Sequence, residues 1–211
     1  MCGGKSGFDP AADVDLLRAH GLGPGTTLID IGAGTGVFAI AAAACGARVV
    51  AVDVSPAMTA RMRAKTEVLD IDNIEVVDAG FLSYEHKGGP VDFVFTRNAL
   101  HQLPDFWKAI ALQRIGALLR RGGILRLHDL MYDFEPGEAA SNVDAWLDGA
   151  VLDREVGYTA DDLAAHVRTE FSTYRWLFEP MIERAGFTVA ERQFRRAVYG
   201  SNTCRKAAHS D

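Results

Sequence analysis

The chain has no cysteine framework. Its 211 residues hold three cysteines, Cys2, Cys45 and Cys204, an odd number placed far apart. No CxxC pair or Cys/His cluster has zinc-finger spacing, so the spacing predicts neither a metal site nor a disulfide scaffold. A reduced, cytoplasmic protein is the expectation. Long apolar runs are also missing. The longest, Val37 to Cys45, falls far short of the ~20 residues of a membrane span. The first residues, Met1-Cys2-Gly3-Gly4-Lys5, lack the apolar stretch of a secretory signal. Positive charge is scarce: the formal net charge is −6, which disfavours a protein that wraps a nucleic-acid backbone. The one basic cluster, Arg192, Arg195, Arg196, Arg205 and Lys206, reads as a solvated strand face. Repeats and low-complexity tracts are absent. With 48% hydrophobic and 24% charged residues, the chain has the composition of one globular domain over residues 1–211.

The pattern alternates short β-rich runs with helical ones. Pro10 to His20 has helical spacing and ends at Gly21 and Gly23, which suit a C-cap. Strands are predicted at Thr27–Ile31, Arg48–Val54, Ile74–Val77, Val91–Phe95 and Ile124–Leu127, and helices at Val37–Cys45, Pro56–Leu69 and Pro104–Arg121. The near-continuous β-branched run at 48–54 suits a strand buried on both faces. Ser55-Pro56 reads as an N-cap followed by proline in the first helical position. The alternation predicts an α/β, doubly wound, mostly parallel sheet of seven strands with helices on both faces. After Asp129 the pattern changes. Helical pieces are predicted near 138–151, 160–170 and 173–185, with Thr159 and Asp162 at an N-terminus. Two strands at Phe187–Gln193 and Ala197–Thr203 then form an antiparallel ending. Residues 10–130 thus read as a cofactor-binding half, 131–175 as a helical insertion covering the substrate, and 176–206 as the last helix and strands.

Parallel sheets bind ligands beyond the carboxyl ends of their strands, where the strand order reverses. Asp30-Ile31-Gly32-Ala33-Gly34-Thr35-Gly36 follows the first strand. Its glycines serve a tight turn and close backbone approach. The pattern is GxGxG: Val37 stands where a dinucleotide fingerprint has its last glycine, and the GK[ST] ending of a P-loop is missing. A loop beside an acid suits a cationic ligand better than a pyrophosphate. Asp53 ends the second strand, where a carboxylate accepts both ribose hydroxyls; with Ser55 available as the helix cap, ribose binding is the preferred role.

These segments, with Val52-Asp53-Val54-Ser55-Pro56-Ala57-Met58, Asp78 and Arg97-Asn98-Ala99-Leu100-His101-Gln102-Leu103-Pro104, resemble class I S-adenosylmethionine-dependent methyltransferases. The chain is similar to their ubiquinone/menaquinone-biosynthesis branch. The resemblance covers about residues 10–129, with a weaker echo in 176–206, and none of its motifs is specific to a substrate. It implies S-adenosylmethionine as cofactor and S-adenosylhomocysteine as product. Asp30, Gly32, Ala33, Gly34 and Gly36 would hold the methionine moiety and Asp53 the ribose. Val54 belongs to the same binding set, and Met58 would pack near the adenosine. Asp78 would meet the adenine amino group, with Ala79 and Phe81 flanking the ring. Arg97 and Asn98 would line the cofactor on the side facing the substrate.

Methyl transfer from a sulfonium needs alignment of a nucleophile and exclusion of water. A base helps where the nucleophile carries a proton. His101, after the fourth strand, and His128, at the end of the fifth, are the two candidates, against the alternative that each is a packed or capping residue. The Asn/Asp-Pro-Pro-Tyr/Phe motif of amino-methylating enzymes is absent after the fourth strand, as is the cysteine of pyrimidine C5 methylation. The aromatic, acidic segment 131–175 suits a small, partly hydrophobic acceptor. The expectation is therefore a small-molecule methyltransferase acting on O, N or C, monomeric or homodimeric, without nucleic acid. The alternatives are a cofactor-binding protein without turnover, an RNA or protein methyltransferase, and an NAD(P)-dependent oxidoreductase.

Overall fold

The computed structural model describes residues 9–207; Cys2 lies outside them. The elements run α1 (Ala11–Ala19), β1 (Thr27–Ile31), α2 (Val37–Ala43), β2 (Arg48–Asp53), α3 (Pro56–Val68), β3 (Ile74–Asp78), β4 (Val91–Arg97), α4 (Asp105–Leu118), β5 (Leu119–Tyr132), α5 (Ala139–Asp148), α6 (Ala160–Thr169), β6 (Thr173–Tyr174), α7 (Arg175–Arg184), β7 (Phe187–Arg195) and β8 (Tyr199–Lys206). The main sheet has the order β3-β2-β1-β4-β5-β8-β7. Strands β1 to β5 are parallel. β8 is antiparallel to both β5 and β7. This is the mostly parallel seven-stranded sheet read from the sequence, with the two-residue β6 added beside β5.

Alternation along the buried strands sorts side chains onto two faces. Leu28, Val49, Ala51, Phe93 and Phe95 face α1, α2 and α3, where Phe38 stacks on Phe95 at 3.5 Å between ring centroids. Ile29, Val50, Val52, Val94 and Leu125 face α4 and α7. Ala39, Ala42 and Ala43 let α2 lie close to the sheet. A third core, Phe134, Trp146, Leu163 and Val198, lies under the inserted helices. Among the described residues no helix is long and apolar enough to cross a membrane.

The structure corrects several boundaries. The helix predicted to Arg121 stops at Leu118. Leu119 already pairs with Val91, the register slips before Phe93, and Arg120 Nε binds Asp92 Oδ1 at 2.6 Å. The strand predicted to end at Leu127 continues to Tyr132, because β8 pairs with it as far as Leu130. The helix predicted from 173 starts at Arg175, since Thr173 and Tyr174 pair with Met131 and Tyr132. The last strand starts at Tyr199, not Ala197, because Arg196 and Ala197 turn the hairpin with φ of +55° and +53°. Ser55 stands in the cap position of α3, but its side chain makes no capping bond. Thr159 and Asp162 do form the reciprocal cap of α6.

The basic cluster is occupied locally. Arg192 pairs with Glu179, Arg196 with the Gly149 carbonyl, Arg205 with the Gly122 carbonyl and Lys206 with the Leu119 carbonyl. Arg195 lies over the Tyr199 ring.

Candidate active site

The order β2-β1-β4 places the change of winding direction between β1 and β4, and the glycine loop opens there. The loop is tied down by its backbone: Gly32 N and Ala33 N both donate to Val52 O, at 2.8 and 3.0 Å. Gly32 and Gly36 have left-handed φ of +80° and +77°. A Cβ on Gly32 would lie 2.6 Å from Ala99 Cβ, and one on Gly36 the same distance from Met62 Cγ. Both positions therefore exclude a side chain by conformation and by contact. At Gly34 a Cβ would meet nothing within 4 Å; its backbone faces open space. The loop borders a cleft of about 140 Å³ lined by Asp30, Gly32, Ala33, Val37, Phe38, Phe95, Arg97 and Asn98.

Two carboxylates shape the electrostatics of this cleft. Asp53 Oδ2 accepts from Gly34 N at 2.7 Å and Oδ1 from Ser55 N at 2.8 Å. Asp53 thus joins the glycine loop to the start of α3, a role that Ser55 does not fill. Each carboxylate oxygen can accept a further bond, which leaves room for ribose hydroxyls. Asp30 is fully buried. Burial, and then the negative charge of Asp53, push its carboxyl up to about 8, partly offset by the Ala39 N–H. Among the described residues Asp30 Oδ2 has no hydrogen-bond partner. A buried acceptor without a partner is costly, and a cationic group in the cleft would satisfy it.

After β2, Val54 is exposed, and Met58 on α3 is half-buried. Ala79 and Phe81 pack partly against the main core. Ala79 N donates to Asp53 O at 3.1 Å, which aligns the ends of β2 and β3. The Asp78 side chain is engaged by α3: Arg63 Nη2 lies 2.7 Å from its Oδ2, and Thr59 Oγ1 donates to Oδ1. These bonds, Arg63 first, hold the Asp78 carboxyl below its ordinary value. The expected adenine contact therefore competes with Arg63 and Thr59 for Asp78.

On the opposite side, Asn98 takes a left-handed backbone with φ of +49°, and its N–H donates to His128 O at 2.9 Å. A non-glycine residue held this way is strained. Asn98 borders the glycine-loop cleft and two further cavities. One, about 240 Å³, is lined by Arg97, His128, Gln193 and Ser201 among others. The second, about 400 Å³, is lined by His101, Tyr158, His166, Glu170 and Tyr199 among others. Asn98 thus borders all three spaces.

The two candidate histidines differ. His128 Nε2 lies 2.7 Å from Asp13 Oδ1, which also takes Arg126 Nε at 2.8 Å. Burial lowers the His128 pKa, against the raising effect of Asp13. Burial tends to raise the Asp13 carboxyl, but His128 and Arg126 hold it below its ordinary value. The arrangement is a neutral imidazole donating from Nε2 to a carboxylate, with its lone pair at Nδ1. His101 is 6% exposed and both its ring nitrogens face carboxylates: Nδ1 meets Asp129 Oδ1, and Nε2 lies 2.9 Å from Glu170 Oε2. As a base, His101 therefore has no ring nitrogen turned to an acceptor in this arrangement. Asp13, Asp129, His166 and Glu170 were not read as site residues from the sequence. Asp13 is separated from His128 by 115 positions and Asp129 from His101 by 28, so no local spacing announces either pair. Only His166 and Glu170, four apart across the end of α6, carry a local signal.

Residues 28–123 match the family model described as a methyltransferase domain. An uncharacterized methyltransferase of Geobacillus sp. (strain WCH70) is 25% identical over 175 residues, 83% of this chain and 76% of that protein. Among solved structures, the magnesium protoporphyrin IX methyltransferase of Synechocystis PCC 6803 with bound S-adenosylhomocysteine is similar with a TM-score of 0.68 and 19% identity, over 94% of this chain and 82% of that one. The [4+2]-cyclase SpnF is similar with a TM-score of 0.70 and 16% identity, over 98% and 85%. Residues 28–123 thus match a methyltransferase-domain model, and the strand order and the solved structures show that the chain shares the fold of these proteins.

Proposed function

We propose that the chain transfers the methyl group of S-adenosylmethionine to O, N or C of a small-molecule acceptor. The observation that carries this reading is the buried, unpartnered Asp30 Oδ2 beside the glycine loop. It fits the cationic amino group of that donor and does not fit a pyrophosphate. Asp53 would take the ribose hydroxyls, with Val54, Met58, Ala79 and Phe81 around the adenine end. When bound, the donor supplies a methyl already activated on a sulfonium. The chain's own task is to orient the acceptor and exclude water. Arg97 and Asn98 stand between the donor cleft and the acceptor cavities. Where the acceptor carries a proton, His128 Nδ1 is the base. Its lowered pKa keeps it neutral at pH 7, the form that accepts a proton.

Of the cavities beside Asn98, the one of about 400 Å³ is of the size that holds a small molecule. The unpaired Cys45 and Cys204 support a reducing, cytoplasmic setting. Fold alone does not fix chemistry, so donor binding and turnover are tested separately. In a thermal-shift assay, S-adenosylhomocysteine should stabilise the chain and NAD should not. Stabilisation by NAD and not by S-adenosylhomocysteine would overturn the donor assignment. Release of S-adenosylhomocysteine is then followed across a metabolite panel. Tight donor binding with no release on any acceptor favours a binding protein without turnover.

A further inference from the structure

Glu170, the residue that ends α6, gathers three side chains. His101 Nε2 lies 2.9 Å from its Oε2, His166 Nδ1 2.8 Å and Gln102 Nε2 2.8 Å. The donor atoms of His101, His166 and Glu170 all lie within 4.8 Å of one another, and both histidines are buried. We infer that His101, His166 and Glu170 form a binding site for a divalent transition-metal ion, of the class that takes imidazole and carboxylate ligands. This goes beyond the methyl-transfer reading and stands without it.

Three observations carry it. First, the remote nitrogen of each imidazole has its own partner. His101 Nδ1 faces Asp129, and His166 Nε2 lies 2.7 Å from Ser172 Oγ. Outer partners of this kind orient metal-binding histidines and turn the other nitrogen's lone pair to the ion. Asp129 can act only as an acceptor here, since it also takes the backbone N–H groups of Leu100, His101 and Leu130. Its partner nitrogen on His101 therefore carries the proton, and Nε2 is the free ligand atom. Second, His101 stands between two carboxylates, Asp129 and Glu170, and His166 meets the same Glu170 oxygen, so the cluster favours a positive partner. A single dication at its centre is such a partner and offsets the charges of Asp129 and Glu170. The spacing is close to what an ion requires: donors each ~2.1 Å from a tetrahedral ion stand about 3.4 Å apart. The two contacts to Glu170 would open by about half an ångström. Third, the set has three protein donors beside a cavity of about 400 Å³ bordered by Asn98, Tyr158 and Tyr199. Three protein ligands with an open position facing a cavity are the pattern of sites that bind a further ligand at the metal. That ligand would be water or an oxygen donor of a bound molecule.

The rings are also held in place. His101 and His166 meet edge to face at 5.1 Å, and Trp146 presents its ring at right angles to His166 at 5.7 Å. His101 follows β4, whereas His166 and Glu170 belong to the inserted α6. The ion would therefore clamp the insertion onto the cofactor half.

The full-length chain, stripped with a chelator and dialysed, is titrated with Zn²⁺ by calorimetry, with bound metal counted by elemental analysis. The expected result is one Zn²⁺ per chain and a rise in Tm on loading. His166→Ala and Glu170→Gln should each weaken binding at least tenfold, while His86→Ala, remote from the site, should not. Glu170→Gln keeps the side-chain shape, so it remains informative if His166→Ala fails to fold; circular dichroism checks both. Failure of the wild type to bind one equivalent, or binding unchanged in the Glu170 variant, overturns the site. Affinity for S-adenosylhomocysteine is measured on the same samples. Retained affinity with lost zinc binding separates failure of this site from failure of the donor assignment.

Discussion

The glycine-loop cleft and the chamber under the inserted helices lie on either side of Asn98, yet they are built by different means. In the cleft the polar groups are held by nearby backbone: Gly32 and Ala33 on Val52, Asp53 on Gly34 and Ser55. One buried acceptor, Asp30 Oδ2, has no partner among the described residues. In the chamber the polar groups are side chains that satisfy one another across distant segments: His101 with Asp129 and Glu170, and His166 with Glu170 and Ser172. The cleft is shaped for a ligand that brings the missing charge. The chamber is a polar network of side chains in which His101, His166 and Glu170 converge from separate segments. A ligand site made from backbone tolerates change in distant helices. A network made from side chains couples the insertion to the sheet.

The sharpest way to break this comparison is Gly32→Ala. Its Cβ would lie 2.6 Å from Ala99 Cβ, at a φ of +80°. Both loops of the cleft must move, so donor affinity should fall about 100-fold or more, with a stability loss of roughly 1–3 kcal/mol. Calorimetry with S-adenosylhomocysteine and thermal melting check the two parts. Next is Asp53→Ala, which removes a carboxylate hydrogen-bonded to the loop and available to the ribose; affinity should fall about tenfold or more. Unchanged affinity would take Asp53 out of the donor site.

A smaller effect tests Asp30. Its folded carboxyl sits at about 8 against an ordinary 3.8, so the neutral acid is favoured in the fold. A raised acid stabilises the fold below its unfolded pKa, and this contribution is lost as pH rises through 8. A cation in the cleft favours the ionised form, so binding releases a proton below pH 8. Affinity for S-adenosylmethionine should therefore rise by a few-fold between pH 6 and 8, and Asp30→Asn should flatten that dependence. An identical slope in the variant would show that another group carries the charge.

The smallest expected effect on the donor comes from the other side of Asn98. Trp146→Ala should lower stability by ~3–5 kcal/mol, the usual cost of emptying a buried tryptophan site. It should leave donor affinity within about twofold in protein that remains folded, because the cleft is held by its own backbone. A large loss of donor affinity would show that the two regions are not independently built.

Much of the cofactor half was legible in the sequence for a physical reason. Asp30, the three glycines and Asp53 lie at a strand end and in the loop after it, where a 21-residue offset maps onto one β-α-β unit. Strands β1, β2 and β4 were visible because burial on both faces leaves near-continuous apolar runs, and the edge strand β3 from its β-branched residues. What was not legible depended on pairing. The extension of β5 to Tyr132 and the short β6 exist only because β8 and β6 lie alongside. His101 read as a candidate base or a packed residue, and tertiary structure set it between two carboxylates. His128 lies inside β5 instead of at its end, and its orientation came from Asp13 on α1.

The residues alone determined the alternating architecture, the glycine loop without a dinucleotide ending, and the acid that follows β2, because each is written in local spacing and in the intolerance of left-handed turns to side chains. Only the tertiary structure decided which side chains share a charge. Hydrogen bonds and ion pairs form between groups that chain separation hides, and folding brought Asp13 to His128, Asp129 to His101, and Glu170 to both His101 and His166.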